Sequence, residues 1–376
     1  MTEHHSPRAE VTIDLGALRH NVALLAGRAS ASGAETMAVV KADAYGHGAV
    51  PVARAAISAG ATWLGTCSLA EALELRKAGI TARLFSWLDT AEADFAGGIE
   101  KDVDLAVSSE AELARIAEAA RRTGKRARVH LKIDTGLSRN GCPAYAWPQL
   151  VKAAAARSEV DVVAMWSHFA CADEPGHPSI DRQAEQFAAA YTVAREEGLN
   201  PLRHIANSAA TLTRPDLHFD LVRPGIAIYG LNPVPRKEDL RPVMSFRSSV
   251  VLTKRIEAGS SVSYGHTWTA TRATNLALVP VGYADGVPRT LSGRMSVLVN
   301  GERRQVAGRV CMDQIVVDCG DDEPAAGSEV VLFGSGERGE PTATEWANTI
   351  GTIDYEIVTG MYRPRVARRY LGEGDR

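Results

Sequence analysis

The sequence predicts a closed (β/α)₈ barrel followed by a mainly antiparallel β domain. Three observations lead there. From residue 36 onward, short apolar runs alternate with alanine-rich helical stretches, the rhythm of βαβ units around a parallel sheet. Polar groups of chemical interest follow many of these runs rather than one, as they would around the single mouth of a barrel. After Leu231 the rhythm stops, and apolar and polar residues alternate between frequent turn signals.

Taken in order, residues 1–10 are polar, lack the apolar core of a signal peptide and read as a loose arm. Residues 11–14 read as a strand opening the barrel domain, 11–240, and 17–26 as a helix. Strands are expected at 37–41, 63–67, 83–87, 103–107, 128–133, 161–167, 202–206 and 221–223. Helices are expected at 48–59, 69–78, 109–123, 145–156, 179–197 and 208–213, while Gly97-Gly98 would end any helix in 89–98 early. Eight strands in about 240 residues suit a barrel of the usual ~250. A doubly wound sheet gives a similar string but gathers its ligands at one switch point. A Pro-rich, charged linker spans 232–242. The β domain, 241–376, has strand-like runs at 250–252, 276–279, 297–299, 314–317 and 330–333, a hairpin signal at Asn300-Gly301 and one helix near 343–350.

Composition narrows the function. The chain has 376 residues and a net charge of −3, so it has neither a basic footprint for nucleic acid nor a polybasic membrane anchor. No apolar run approaches a membrane span. Five scattered cysteines, never in a C-x-x-C pair, argue against a disulfide framework or zinc site and suit a reducing cytoplasm.

The chain turns on residues 37–48, MAVVKADAYGHG. Lys41 follows a buried apolar run directly. Desolvation there lowers an amine's pKa and prepares it to hold a carbonyl cofactor as a Schiff base; a lysine snorkelling to solvent fits the pattern equally. In 132–141, KIDTGLSRNG, two glycines shape a loop around Arg139, whose fork of donors suits a carboxylate or phenolate. His168 ends the run before 169, a place more often held by a hydrogen-bonded structural histidine. Asn207-Ser208 signals an N-cap first, and a place for a phosphate second. Arg223 ends the last barrel strand, and Gly225 allows close backbone approach. In such barrels, phosphate sites commonly follow strands seven and eight. The tyrosine loops SYGH (263–266) and VGYADG (281–286), with CMDQ (311–314) and DYE (354–356), read individually as turns.

In their order and spacing, VKADAYGHG, KIDTGLSRNG, HIANSAA, VRPGIAIYG, SYGHTW, VGYADG, CMDQ and DYEI closely resemble alanine racemase, a pyridoxal-phosphate (PLP) enzyme, from about Val11 to Tyr370. The resemblance implies a head-to-tail homodimer with shared active sites, L-/D-alanine as substrate, and D-alanine supplied for peptidoglycan in the cytoplasm. It implies that Lys41 binds PLP and is the base on one face of the substrate, and that Tyr264 of the second subunit is the base on the other. Tyr45, Ser208, the Gly225 and Ile226 backbone and Tyr355 would hold the phosphate, with Asn207 beside them. Arg223 would donate to the pyridine nitrogen, and His168 would stand behind Arg223 and Tyr264. Arg139 would meet the phenolic oxygen and, with the Met312 N–H, the substrate carboxylate. Lys132 matches a position often carbamylated to steady Arg139, and Asp313 is a supporting residue. Two departures stand out. Ser138 replaces a usual glycine, and the tail 363–370 is a scrambled form of the family's ending.

These roles are physically coherent. PLP is the electron sink for the carbanion left when the α-proton departs, and inversion needs a donor and an acceptor on opposite faces. A tyrosine, with a reference pKa near 10, must be tuned to serve as one of them. A guanidinium at the ring nitrogen cannot practically give up its proton, so it leaves that nitrogen unprotonated and weakens the sink. Four other readings compete. A purely structural β/α protein would bind no chromophore. An amino-acid decarboxylase usually has a carboxylate where Arg223 stands. A non-catalytic PLP-binding carrier leaves the β domain unexplained. A broader-specificity amino-acid racemase would admit serine.

Overall fold

The computed structural model of the chain describes residues 7–372. The chain divides into two compact units. One comprises Leu18–Ala44 and Gly48–Leu240. The other comprises the described chain up to Ala17, Tyr45–His47, and the described chain from Arg241 onward.

The first strand, β1 (Ala9–Asp14), belongs to the second unit. The barrel unit carries β2 (Glu35–Val39), β3 (Trp63–Thr66), β4 (Arg83–Ser86), β5 (Val103–Val107), β6 (Ala127–Lys132), β7 (Val160–Trp166), β8 (Leu202–His204) and β9 (Leu221–Val222). These eight strands pair in parallel in the order β8-β7-β6-β5-β4-β3-β2-β9. The end strands are joined by the Asp220 N–H to Arg203 C=O bond (3.1 Å) and the Arg223 N–H to Ala206 C=O bond (2.9 Å), which carry the sheet round towards closure. The predicted positions of all eight strands hold to within two residues at either end.

The helices follow from local chemistry. In Glu110–Thr123, Leu113, Ile116, Ala117 and Ala120 line one buried stripe at helical spacing. Ser109 caps its start by accepting from the Glu112 N–H, and Gly124 ends it in the left-handed conformation that glycine adopts freely. Gly97 and Gly98 do not break their helix, which runs Phe95–Glu100. Asp94 caps it, and Gly98 is small because a Cβ there would meet Leu69 Cδ1 at 2.7 Å.

The second unit holds β10 (Met244–Ser249), β11 (Leu252–Ile256), β12 (Ser261–Val262), β13 (Trp268–Thr269), β14 (Thr274–Val279), β15 (Ser296–Val299), β16 (Glu302–Gln305), β17 (Ile315–Gly320), β18 (Glu329–Phe333) and β19 (Ala367–Leu371). A six-stranded sheet runs β16-β15-β18-β10-β1-β19, a three-stranded one β11-β14-β17, and β12 pairs with β13. Every pairing is antiparallel except β1 with β19. Asn300 and Gly301, at φ 50° and 82°, make the tight turn between β15 and β16.

Three expectations need correction. Of the arm expected over 1–10, residues 1–6 lie outside the described residues, while Ala9 and Glu10 already belong to β1. Strand β1 does not open the barrel: Val11 pairs opposite Phe246, Ile13 opposite Met244, and β19 lies along its other edge. The apolar run 250–252 is mostly a crossing between sheets, since the Val250 N–H bonds to Ser328 and the Val251 N–H to Leu278.

Candidate active site

In the barrel unit, β2 delivers Lys41 to the carboxyl mouth through Val40. The next four residues, Ala42 to Tyr45, all take φ between 51° and 54°. A left-handed turn of non-glycine residues costs roughly 1–2 kcal/mol per residue, so its surroundings must hold it. Glu71 does much of this. Its carboxylate accepts the Ala42 N–H (2.7 Å) as well as the Cys67 N–H (2.8 Å) and Ser68 N–H. Asp43 accepts the Ala49 N–H (2.8 Å) at the start of the following helix.

The turn fixes Lys41, whose Nζ lies 5.8 Å from the centre of the Trp87 ring. Burial lowers its pKa and Arg139 adds to that, against opposing contributions from Cys67 and Glu71. Lys132, at the end of β6, is buried with its Nζ 4.1 Å from the Trp166 ring centre. Burial, then Arg223 and Arg139, bring its pKa down to about 8.

The Arg139 loop is built on Asp134, whose carboxylate accepts the Gly136 and Ser138 N–H groups at 2.9 and 3.0 Å. A Cβ on Gly141 would lie 2.7 Å from the Asp134 nitrogen, so glycine is required there. Ser138 has φ 57°, a conformation that glycine would adopt at less cost. Buried Gln183 joins this loop to the next, donating to Thr135 Oγ1 (3.1 Å) and to the His168 carbonyl (3.0 Å).

Arg223 follows β9 and is buried. Its guanidinium donates to the Ser167 carbonyl (2.8 Å), His204 Nδ1 (3.0 Å) and His168 Nδ1 (3.3 Å); none of its bonded partners among the described residues is a carboxylate. Burial pulls its pKa down to about 9, still on the charged side of neutrality. His168 is held well below the usual imidazole range by burial and by Arg223, Arg139, Lys132 and Lys41 in turn. Positive charge from several side chains thus bears on the His168 imidazole, and an anion would answer it. Beside them, Asn207 caps the short helix Ser208–Thr213, and buried Ser208 Oγ accepts the Gly225 N–H (2.8 Å) and Ala227 N–H (3.2 Å). The Gly225 N–H is therefore engaged within the protein, while the Ser208 O–H remains a donor. Ile226 opens the buried turn Ile226–Tyr229.

The second unit presents its groups differently. Tyr264 is 71% exposed, on a turn in which Ser263, Gly265 and His266 all have positive φ. Ser263 Oγ braces the turn by donating to the Arg309 carbonyl (2.9 Å). Tyr264 borders a cavity of about 620 Å³ with Ser263, His266, Cys311 and Gln314. Met312 is 52% exposed. The loops 281–286 and 311–314 are zipped together by the Tyr283 N–H to Cys311 and Ala284 N–H to Met312 bonds, both 3.0 Å. Gly282 permits that approach, since a Cβ would lie 2.2 Å from the Cys311 carbonyl oxygen. Asp313 accepts from Arg365 at 2.6 Å. In the same unit the Tyr45 and Tyr355 rings lie 6.0 Å apart.

Several contributing residues were not singled out from sequence. Glu71 left a trace as the partner of Ser68 in a capping-box spacing. Asp104 and His130 left a fainter one, as polar residues inside apolar strands.

The fold and this cationic mouth define the class: a (β/α)₈-barrel protein with a lysine of lowered pKa and buried cations at its strand ends. The family model for the alanine racemase N-terminal domain matches residues 13–233, and that for its C-terminal domain residues 243–370. Alanine racemase of Salinispora tropica is 54% identical over 97% of this chain and 99% of its own length. That of Streptomyces coelicolor is 53% identical over 97% and 96%. The crystal structure of alanine racemase from D-cycloserine-producing Streptomyces lavendulae superposes with a TM-score of 0.95 at 52% identity, covering 98% of both chains. The chain belongs to the alanine racemase family. Among the described residues, no helix is long and apolar enough to cross a membrane.

Proposed function

We propose that this racemase interconverts L- and D-alanine with PLP, using Lys41 and Tyr264 as bases on opposite faces of the substrate. The observation that carries the reading is the pair of buried cations at the barrel mouth, Lys132 and Arg223, the latter held by imidazoles and carbonyls rather than a carboxylate, beside the Lys41 amine of lowered pKa. A dianionic phosphate, a phenolate and a substrate carboxylate are the anions such a mouth suits. PLP, when bound, supplies the electron sink for the α-carbanion.

The chain's own residues do the rest. Lys41, its amine made more available by burial, holds the cofactor and moves a proton at the α-carbon. Arg223, braced on two imidazoles and a carbonyl, donates to the ring nitrogen and stays a donor. Ser208 donates to the phosphate beside the Gly225 and Ile226 backbone and the Asn207 cap, and Tyr45 and Tyr355 are expected as further donors. Arg139 binds the phenolic oxygen and the substrate carboxylate. Lys132, with its pKa brought down to about 8, yields a neutral amine more readily than an ordinary lysine, as uptake of carbon dioxide requires; the resulting carbamate would steady Arg139. Tyr264 and the Met312 N–H act in the site of a second copy, making the enzyme a homodimer, and Asp313 steadies the Met312 loop through Arg365. Its five cysteines are free, which suits work in the reducing cytoplasm, where D-alanine would be made for peptidoglycan.

The test is an absorbance spectrum of the pure protein followed by polarimetry with L-alanine. An imine-type band and loss of optical rotation are expected. A colourless protein that leaves the rotation of alanine unchanged would defeat the reading.

A further inference from the structure

We propose that Asp104 and His130 are positioning residues for Arg223: with His204 they form a one-way hydrogen-bond relay through the barrel interior that fixes the imidazole beside Arg223 as an acceptor. The inference rests on the proposed place of Arg223 at the cofactor's ring nitrogen.

The direction of the relay follows from counting protons. Arg223 Nη1 lies 3.0 Å from His204 Nδ1, and a guanidinium only donates, so Nδ1 must accept. An imidazole carries at least one proton; burial, and then Arg223, hold His204 below the usual imidazole range, and at His130 burial outweighs the raising pull of Asp104. The proton of His204 is therefore on Nε2, which lies 3.0 Å from His130 Nδ1. That nitrogen accepts in turn, leaving the His130 proton on Nε2, 3.2 Å from Asp104 Oδ2. A carboxylate accepts it. Every link is satisfied in one direction only: reversing His204 would set two donors against each other at Arg223, and reversing His130 would do so between the two rings.

The surroundings lock this arrangement. Asp104 is fully buried and also accepts from Arg128 Nε (2.5 Å) and Arg83 Nη2 (3.1 Å). Burial raises its pKa, but the His130 bond and the Arg128 interactions outweigh that and keep it ionised. His130 stacks on Phe85 at 4.1 Å and 17°, and His204 lies parallel to Trp166 at 5.8 Å and 5°, so neither ring plane is free to turn. Arg83, Asp104 and Arg128 lie at the amino-terminal ends of β4, β5 and β6, whereas Arg223 lies at the carboxyl end of β9. The face of a barrel that ordinarily serves stability is thereby wired to the face that holds the chemistry. As with partners that orient metal ligands, loss of such support costs roughly 10–100-fold in activity.

The test is ¹⁵N NMR of the PLP-bound enzyme labelled at histidine, with His130→Phe and His130→Asn as variants. In the unsubstituted protein both His204 and His130 should carry one proton, on Nε2. A proton on Nδ1 of either ring, or two protons on one, would overturn the relay without any variant having to fold. His130→Phe keeps a ring on Phe85 but withdraws the acceptor. It should give His204 a mixture of tautomers and lower kcat by roughly 10–100-fold, with KM for alanine little changed. His130→Asn restores an amide oxygen near the lost Nδ1 and should recover the single tautomer and most of kcat. A His130→Phe enzyme with an unaltered His204 signature and full kcat would refute the proposal. Absence of bound PLP would instead sink the racemase reading of Arg223, so the two failures are distinguishable.

Discussion

The two units offer their chemical groups in opposite ways. At the barrel mouth, Lys132 and Arg223 are buried, Lys41 and His168 are half-buried, and the loops that carry them are braced by Glu71, Asp134 and Gln183. In the β unit, Tyr264 and Met312 stand 71% and 52% exposed on loops held rigid from beneath. The barrel groups are tuned by neighbours within their own unit. The difference teaches that the barrel buries and braces its charged groups, whereas the β unit displays its groups on loops pinned from beneath.

The largest effect should come from the barrel side. Lys41→Ala should lower turnover by on the order of 10⁴-fold or more and remove the imine band; a bound, imine-type spectrum in that variant would contradict the role of Lys41. Next comes the contribution of the second copy. Dilution of the enzyme until sedimentation reports single subunits should remove activity by roughly 100-fold or more, the scale of losing a general base, and an active isolated subunit would erase the contrast between the units. Smaller still is the bracing. Glu71→Ala leaves the Ala42, Cys67 and Ser68 N–H groups without their shared acceptor and should cost about 1–3 kcal/mol in denaturant unfolding; an unchanged midpoint would mean that the left-handed turn holds itself. The smallest is Ser138→Gly. It relieves the φ of 57° and should add up to about 1 kcal/mol of stability, offset in part by glycine's unfolded-state entropy; a loss of stability would show that the serine is not strained.

What the sequence disclosed, and what it hid, divides along physical lines. The eight barrel strands were legible because a strand buried on both faces is a short apolar run whatever its neighbours. Lys41 and Arg223 stood out because a charged residue directly after such a run is costly to bury, and Arg139 because two glycines shape the loop around it. The Asp104–His130–His204 relay was not, because its members come from three strands and meet only across the barrel interior. The partners of β1 were hidden for the same reason. Its own pattern defines a strand, but only long-range pairing shows that it lies between β10 and β19. Val250 and Val251 misled because β propensity cannot tell a strand from an apolar crossing between two sheets.

The most direct test of two bases on two faces is solvent exchange of the α-proton, followed by NMR in deuterium oxide with L-alanine and D-alanine separately, in Tyr264→Phe. Exchange from one enantiomer should fall by at least about 100-fold, while Lys41 continues to exchange the other. Equal loss from both enantiomers would contradict the account.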